Sequence, residues 1–167
     1  MTERLKNRIL IIAAVAALSA SCGITGSRGN GDDNYFSAFE TFPGQVWEYS
    51  RPAEFRVDTL RDSVARGGTL LLSLRHTNGY EYSNLWLELS YPVNDSVVRA
   101  DTFNIILADD FGHWRGHGIG PSLQVTDTLS RDFTLRRGMP MTLRHIMRTD
   151  SLANIEQAGL VFLPEQD

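Results

Sequence analysis

Cysteine is almost absent from this chain of 167 residues: Cys22 is the only one. One cysteine cannot form an intramolecular disulfide, so no covalent crosslink holds the fold. Lysine is equally scarce, with Lys6 alone, and every other base is arginine. No apolar run reaches the roughly 20 residues a membrane-spanning helix needs; the longest, residues 9–18, has ten. An excess of positive charge is missing too. The formal charge is −4, which disfavours nucleic acid and gives no polybasic attraction to anionic lipid. Also missing are a His-Glu-x-x-His zinc pattern and a Gly-x-Ser-x-Gly nucleophile elbow. Long helical periodicities and internal repeats are lacking as well.

What is present begins at the N-terminus. Arg4, Lys6 and Arg8 precede the apolar run, and the small residues Ser19, Ala20 and Ser21 follow it. This is the order of a secretory signal. In an exported chain a free thiol is reactive, and it ceases to be so if it is consumed. Leu18-Ser19-Ala20-Ser21-Cys22 resembles a bacterial lipobox, with Ser19 where an aliphatic residue is usual and Leu18 one position earlier. The reading is a signal peptide over 1–21, a lipid on Cys22, a tether over 22–34 and one domain over 35–167. Loss of Glu3, Arg4, Lys6 and Arg8 with the signal takes the formal charge from −4 to −6. The acyl group, and no other cofactor, is expected to do the anchoring, because two or more buried chains hold stably where one does not. The tether has four glycines between Gly23 and Gly31. It buries too little to offset its ordering entropy and spans roughly 20 Å.

From Tyr35 onward the pattern has period two. Leu70, Leu72 and Leu74 share a side. Leu85, Leu87, Leu89 and Tyr91 alternate with Trp86, Glu88 and Ser90; Phe103, Ile105 and Leu107 repeat the alternation, and so do Met141, Leu143, His145 and Met147. Seven to nine such runs, broken by Gly, Pro, Asn and Asp, predict an all-β antiparallel sandwich or jelly roll. Helical turns are expected only at 59–65 and 150–157, and 78–84 reads as a hairpin connection.

Several constellations invite chemistry. Asp109, Asp110, His113 and His117 carry metal-ligand chemistry, but Gly112, Gly116, Gly118 and Gly120 oppose the helix that a three-residue histidine gap favours. A glycine-rich turn with solvated histidines is the simpler reading, and no metal is expected. The glycines are explained by positive φ or close strand approach. Pro121 and a strand-like run follow them, not the helix a phosphate loop requires. Ser83 with His76 or His145 and Asp101 lacks the sequence context of a nucleophile; His145 alternates with core residues. Glu81 with Glu88, or Asp109 with Asp110, would need carboxylates about 5 or 6.5–9.5 Å apart for glycoside hydrolysis, a distance no sequence gives. Trp47, Trp86 and Trp114 are packing residues or interface anchors.

Three segments carry a family resemblance: LRHTNGYEYSNLWLEL (74–89), GHWRGHGIG (112–120) and LRHIMRTDSLANIEQAGLVF (143–162). The order Asn78, Tyr80-x-Tyr82-Ser83-Asn84-Leu85, Asp101-Thr102, Trp114-x-Gly116-x-Gly118-x-Gly120, His145-x-Met147-Arg148 and Gly159-Leu160 resembles that of the GldH family of gliding-motility lipoproteins of Bacteroidota. The resemblance covers about residues 10–163. It implies an envelope lipoprotein without enzymatic activity, linked to machinery shared with type IX secretion. Acidic residues immediately after the cysteine mark surface export in that phylum, and Gly23 to Gly31 separate Cys22 from Asp32-Asp33. The expected location is therefore the outer membrane, facing the periplasm. Expected partners are the membrane, through the lipid, and other envelope or gliding and secretion proteins, with no nucleic acid and no small-molecule substrate. The expected contact residues are Tyr80 and Tyr82 in one loop and His113, Trp114 and His117 in another. On this reading Trp114→Ala weakens partner capture with little loss of stability. The alternative is a glycan-binding sandwich module using its exposed aromatics.

Overall fold

The computed structural model describes residues 34–165; the signal, Cys22 and the tether up to residue 33 lie outside them. All described residues belong to the unit Gly31–Asp167. The chain is a nested hairpin. Its innermost pair is β5 (Asn84–Pro92) with β6 (Val98–Ile106). Outside this, β4 (Val64–Thr77) pairs with β8 (Ser122–Arg136), and β3 (Ala53–Arg56) with β9 (Pro140–His145). The outermost pairs are β2 (Val46–Glu48) with β10 (Ser151–Ala153) and β1 (Phe36–Thr41) with β11 (Ile155–Leu163). A short β7 (His117–Ile119) lies beside the start of β8.

This nest is wrapped into two principal sheets of order β1-β11-β4-β8-β7 and β3-β9-β5-β6, with β10-β2 as a separate ribbon. That is a jelly-roll order, as the alternation predicts. The period-two rows supply the core. Leu70, Leu72 and Leu74 of β4 and Leu85, Leu87 and Leu89 of β5 are all buried. Met141 and Leu143 of β9 and Leu160 and Phe162 of β11 join them in one cluster. Alternation places every second residue of a strand on one face, so each leucine row fixes the register of its strand.

Three expectations are corrected. Residues 59–65 form no helix; they bend and enter β4 at Val64. Residues 150–157 form β10 and the start of β11, with Asn154 at φ 66° between them. Helix propensity is a weak prior here, and cross-strand partners override it: Leu152 sits opposite Trp47 and Ile155 opposite His76. The only helical turn described is a 3-10 turn at Pro43–Gln45. Residues 78–84 do not close a hairpin, because β4 and β5 lie in different sheets and the link crosses the end of the sandwich.

The two ends of the sandwich are distinct. At the first, the Asn34 amide donates to Asp62 Oδ2 at 2.9 Å and its Oδ1 accepts the Asp62 N–H at 3.2 Å. The Arg136 guanidinium there donates to the Pro92 and Val93 carbonyls. The polypeptide therefore enters the domain at this end. The strand registers carry β4 and β8 to the other end at Thr77 and Ser122, where most of the family-pattern residues meet.

Candidate functional site

The second end is built from the 78–83 link, the excursion 107–121 and the 146–150 connection. Each is tied down by backbone bonds. Leu107 and Ala108 donate to the Ser83 carbonyl at 2.8 and 2.9 Å, and Asn78 N–H donates to the Pro121 carbonyl at 2.9 Å. Asn154 joins the link to β11: its Nδ2 donates to the Gly79 carbonyl at 2.9 Å and its Oδ1 accepts from Thr77 Oγ1 at 3.0 Å.

A run of rings lies across this end. His76 is buried, with its ring centroid 4.9 Å from Trp114 and 5.9 Å from Tyr80. Tyr80 meets Tyr82 edge-on at 5.6 Å. Tyr82, Trp86, Met147 and Arg148 then line a groove of about 440 Å³, with the Trp86 backbone N–H directed at the Met147 sulfur at 3.4 Å. Exposure separates the members. Tyr80 is buried and its hydroxyl donates to the Asn84 carbonyl at 3.2 Å; burial, then the neighbouring Tyr82, raises its pKa. Tyr82 is exposed, and Trp86 is 42% exposed although it lies on a central strand. Trp114 is half-buried against the core. Tyr80 thus acts from inside, as support for Tyr82 and Trp114. Because the Trp114 ring leans on His76, its truncation reaches the core, unlike the small stability effect expected from a free loop residue.

His113 and His117 are both exposed. Asp109 organises the first of them. Its Oδ1 accepts the backbone N–H groups of His113 at 2.8 Å and Phe111 at 2.9 Å, and its Oδ2 faces His113 Nδ1 at 3.1 Å. The His113 N–H chiefly holds the Asp109 carboxyl below the usual carboxylate range. Asp109 is therefore a loop staple. Among the described residues no three His, Cys, Asp or Glu side chains are grouped to hold a metal ion. Asp101 engages Tyr91 (2.7 Å) and Arg99 (2.8 Å), not a histidine, so the structure does not assemble Ser83, a histidine and Asp101 as a triad. His145 is buried edge-on to Trp47 and Tyr49.

Sequence reasoning missed two surface residues at this end. Phe111 is 87% and Ile119 93% exposed, and both belong to the 107–121 excursion. Trp86, a packing residue or interface anchor on the sequence alone, is exposed, in keeping with its parity: it alternates with the core leucines and shares a face with Glu88 and Ser90.

The sequence profile of the GldH lipoprotein family matches residues 34–161. The chain belongs to the GldH lipoprotein family. No curated protein matches it in sequence. Among solved structures, Eiger TNF from S. frugiperda is similar at a TM-score of 0.41 and 10% identity, over 80% of this chain and 96% of that one. The GldH match takes in every segment that forms the ringed end, including the glycine run.

The geometry gives two of those glycines a reason. Gly116 has φ 92°, and a Cβ there would meet the Gln124 carbonyl oxygen at 2.3 Å. A Cβ on Gly118 would lie 1.7 Å from the Ser122 carbonyl oxygen. Both contacts are with backbone and cannot be relieved by a rotamer. Gly118→Ala is expected to separate β7 from β8, at a cost of about 1–3 kcal/mol. Denaturant unfolding should show that loss, and amide exchange should rise over residues 117–124.

Proposed function

We propose that this GldH-family chain is a non-enzymatic assembly component of the gliding-motility machinery linked to type IX secretion. Acyl chains on Cys22 hold it at the outer membrane, facing the periplasm, after residues 1–21 are removed. Residues 22–34 are its tether and 35–167 its working domain. The supporting observation is the opposition of the two ends. The polypeptide enters at the Asn34–Asp62 end, and the exposed Tyr82, Trp86, Phe111 and Ile119 lie at the other. A lipid at Cys22 would then leave the ringed end free to meet a partner. Exposed aromatics concentrate contact energy at interfaces, and a membrane tether raises effective concentration without adding contacts. Tyr82, Trp114, His113 and His117 are the contact residues, with Tyr80 beneath them. The family is not known for catalysis, and the reading assigns no cofactor beyond the lipid.

The test combines two readouts in cells fed an alkyne palmitate analogue. Wild type should label and fractionate with the outer membrane, and a photo-crosslinker at position 82 or 111 should capture a gliding or secretion protein. Cys22→Ser should lose label, membrane association and crosslink together. Unchanged labelling and fractionation in that variant would overturn the anchoring.

One observation favours a second reading, a glycan-binding module. Trp86 stands on the outer face of the sheet, and beside it Asn84 Nδ2 donates to Asn104 Oδ1 at 2.6 Å. An aromatic face with planar amides suits a sugar ring. Retention of the purified chain on peptidoglycan, lost in Trp86→Ala, would establish it.

A further inference from the structure

The sandwich is closed on one side and open on the other. On the closed side the chain itself runs from β1 through the Pro43–Gln45 turn and β2 into β3, and β10 pairs with β2. On the opposite side β6 and β8 are the edge strands, and β7 covers β8 only at residues 122–124. Between them lies a cleft of about 760 Å³. Its apolar wall includes Leu89, Phe103, Leu129 and Phe133, and its mouth carries Arg99, Asp101 and Asp132.

The two edges are not equivalent. The β4–β8 ladder has three register shifts between Ala65 and Leu71, which distort β8 beside the cleft. The β5–β6 ladder is unbroken from Asn84 opposite Ile106 to Pro92 opposite Val98. Bonds at its two ends fix its phase: Val93 N–H donates to the Val97 carbonyl at 2.8 Å, and Leu107 N–H to the Ser83 carbonyl at 2.8 Å. In an antiparallel ladder such exchanges recur at every second residue. The odd-numbered residues of β6 therefore bond to β5. The N–H and C=O groups of Ala100, Thr102 and Asn104 point the other way, past the sheet edge.

Proteins blunt such edges with charge or proline. The row Val98, Ala100, Thr102, Asn104, Ile106 has neither. The charges on the alternate row are already spent on each other, since Asp101 accepts from both Arg99 and Tyr91. Asp132, across the mouth, has no ion pair among the described residues.

We propose that the free edge of β6 is a β-augmentation site for an extended segment of a partner polypeptide. The segment pairs with Ala100, Thr102 and Asn104 and sets alternate side chains into the cleft. Those side chains are apolar against Phe103, Leu129 and Phe133, with one lysine or arginine reaching Asp132. Backbone pairing supplies affinity in this mode and the alternate side chains supply specificity. A second copy of the chain, paired edge to edge, would satisfy the same amides but leave the cleft unfilled. The site rests on neither the Cys22 lipid nor the ringed end, so its failure leaves the function proposed above untouched.

The probe is a phage-displayed library of random dodecapeptides, selected on the full chain purified in dodecyl maltoside. Selected peptides, resynthesised, should protect the amides of Ala100, Thr102 and Asn104 from hydrogen exchange. Thr102→Pro removes one outward donor and spares the β5 ladder, a place where sheets accept proline. It should weaken binding by about tenfold, the scale of one or two backbone bonds, and Thr102→Val should not. Where the proline disturbs folding, the protection pattern on wild type decides. Selection of no peptide, protection centred on Trp86 or the 107–121 excursion, or edge amides already protected by self-association would each overturn the proposal.

Discussion

Trp47→Ala is expected to cost about 3–5 kcal/mol, the range for truncating a large buried aromatic. A domain of this size holds roughly 5–15 kcal/mol in all, so the variant should be marginally folded at room temperature. Trp47 is fully buried and stacks on Phe42 with centroids 4.5 Å apart and planes 16° from parallel. Its indole N–H donates to the Arg51 carbonyl at 3.2 Å. It also pins the β2–β10 ribbon, where it sits opposite Leu152, and it meets the His145 ring edge-on at 5.7 Å. Removing it opens a cavity where three elements meet and orphans a carbonyl. Trp86→Ala should cost less than about 1 kcal/mol, the scale of a surface change, because much of that ring already faces solvent. Urea unfolding of the two variants reads the contrast directly. If Trp86→Ala destabilises as much as Trp47→Ala, Trp86 is a packing residue and its place in a contact surface is lost.

That contrast shows where the sequence is informative and where it is silent. Period two found the leucine rows of β4 and β5 and the Met141, Leu143, His145 face of β9, because burial on one side of a pleated strand is written in every second letter. The same parity put Trp86 on the polar face. It could not sort Trp47, which lies in a three-residue strand, VWE, too short to show a period. Nor could it see that 78–84 joins two sheets. Asn78-Gly79 has the turn chemistry of a hairpin, and only the pairing of β4 with β8 and β11, and of β5 with β6 and β9, separates them. Those pairings join residues far apart in the chain, and no local pattern specifies them. The glycine run was legible as backbone geometry. That Gly118 abuts the Ser122 carbonyl was not, since it depends on β7 folding back on β8. The open edge of β6 belongs to the same class: a strand shows its alternation in sequence, while its unpaired side exists only once the sheet is assembled.

Acid should destabilise the fold first through its buried histidines. Two of the four histidines are buried and incompletely bonded. His76 Nδ1 lies 2.9 Å from the Thr77 carbonyl, which accepts its proton; Nε2 then carries the lone pair and has no partner. In His145 neither ring nitrogen meets a partner in full hydrogen-bond geometry, and the Trp47 backbone is the polar group it faces. Burial pulls both pKa values down, by desolvation foremost. At His76 the Thr77 carbonyl and Glu156 oppose it. At His145 the Trp47 backbone opposes it and the Arg144 charge adds to it; Arg144 itself lies over the Tyr49 ring at 5.1 Å. A histidine whose folded pKa is depressed binds its proton first in the unfolded state. The stability it allows is therefore complete above the unfolded pKa of about 6.5 and is lost as pH falls below it. Below that pH each group lowers stability, by at most about 1.4 kcal/mol per pH unit, until its own folded pKa is reached. Asp101 and Asp109 act in a separate, lower window. Their pKa values are lowered from 3.8, so their contributions are complete above the ordinary carboxylate range and are lost as the pH falls through it toward the lowered folded values. Urea midpoints at pH 7.5, 6.5 and 5.5 measure the slope. His145→Leu should make it shallower, because leucine occupies similar space without a site for a proton. A slope unchanged in that variant would mean that His145 is protonated as readily in the folded chain as in the unfolded one, and that water or a shift of the Tyr49 and Trp47 rings relieves its burial.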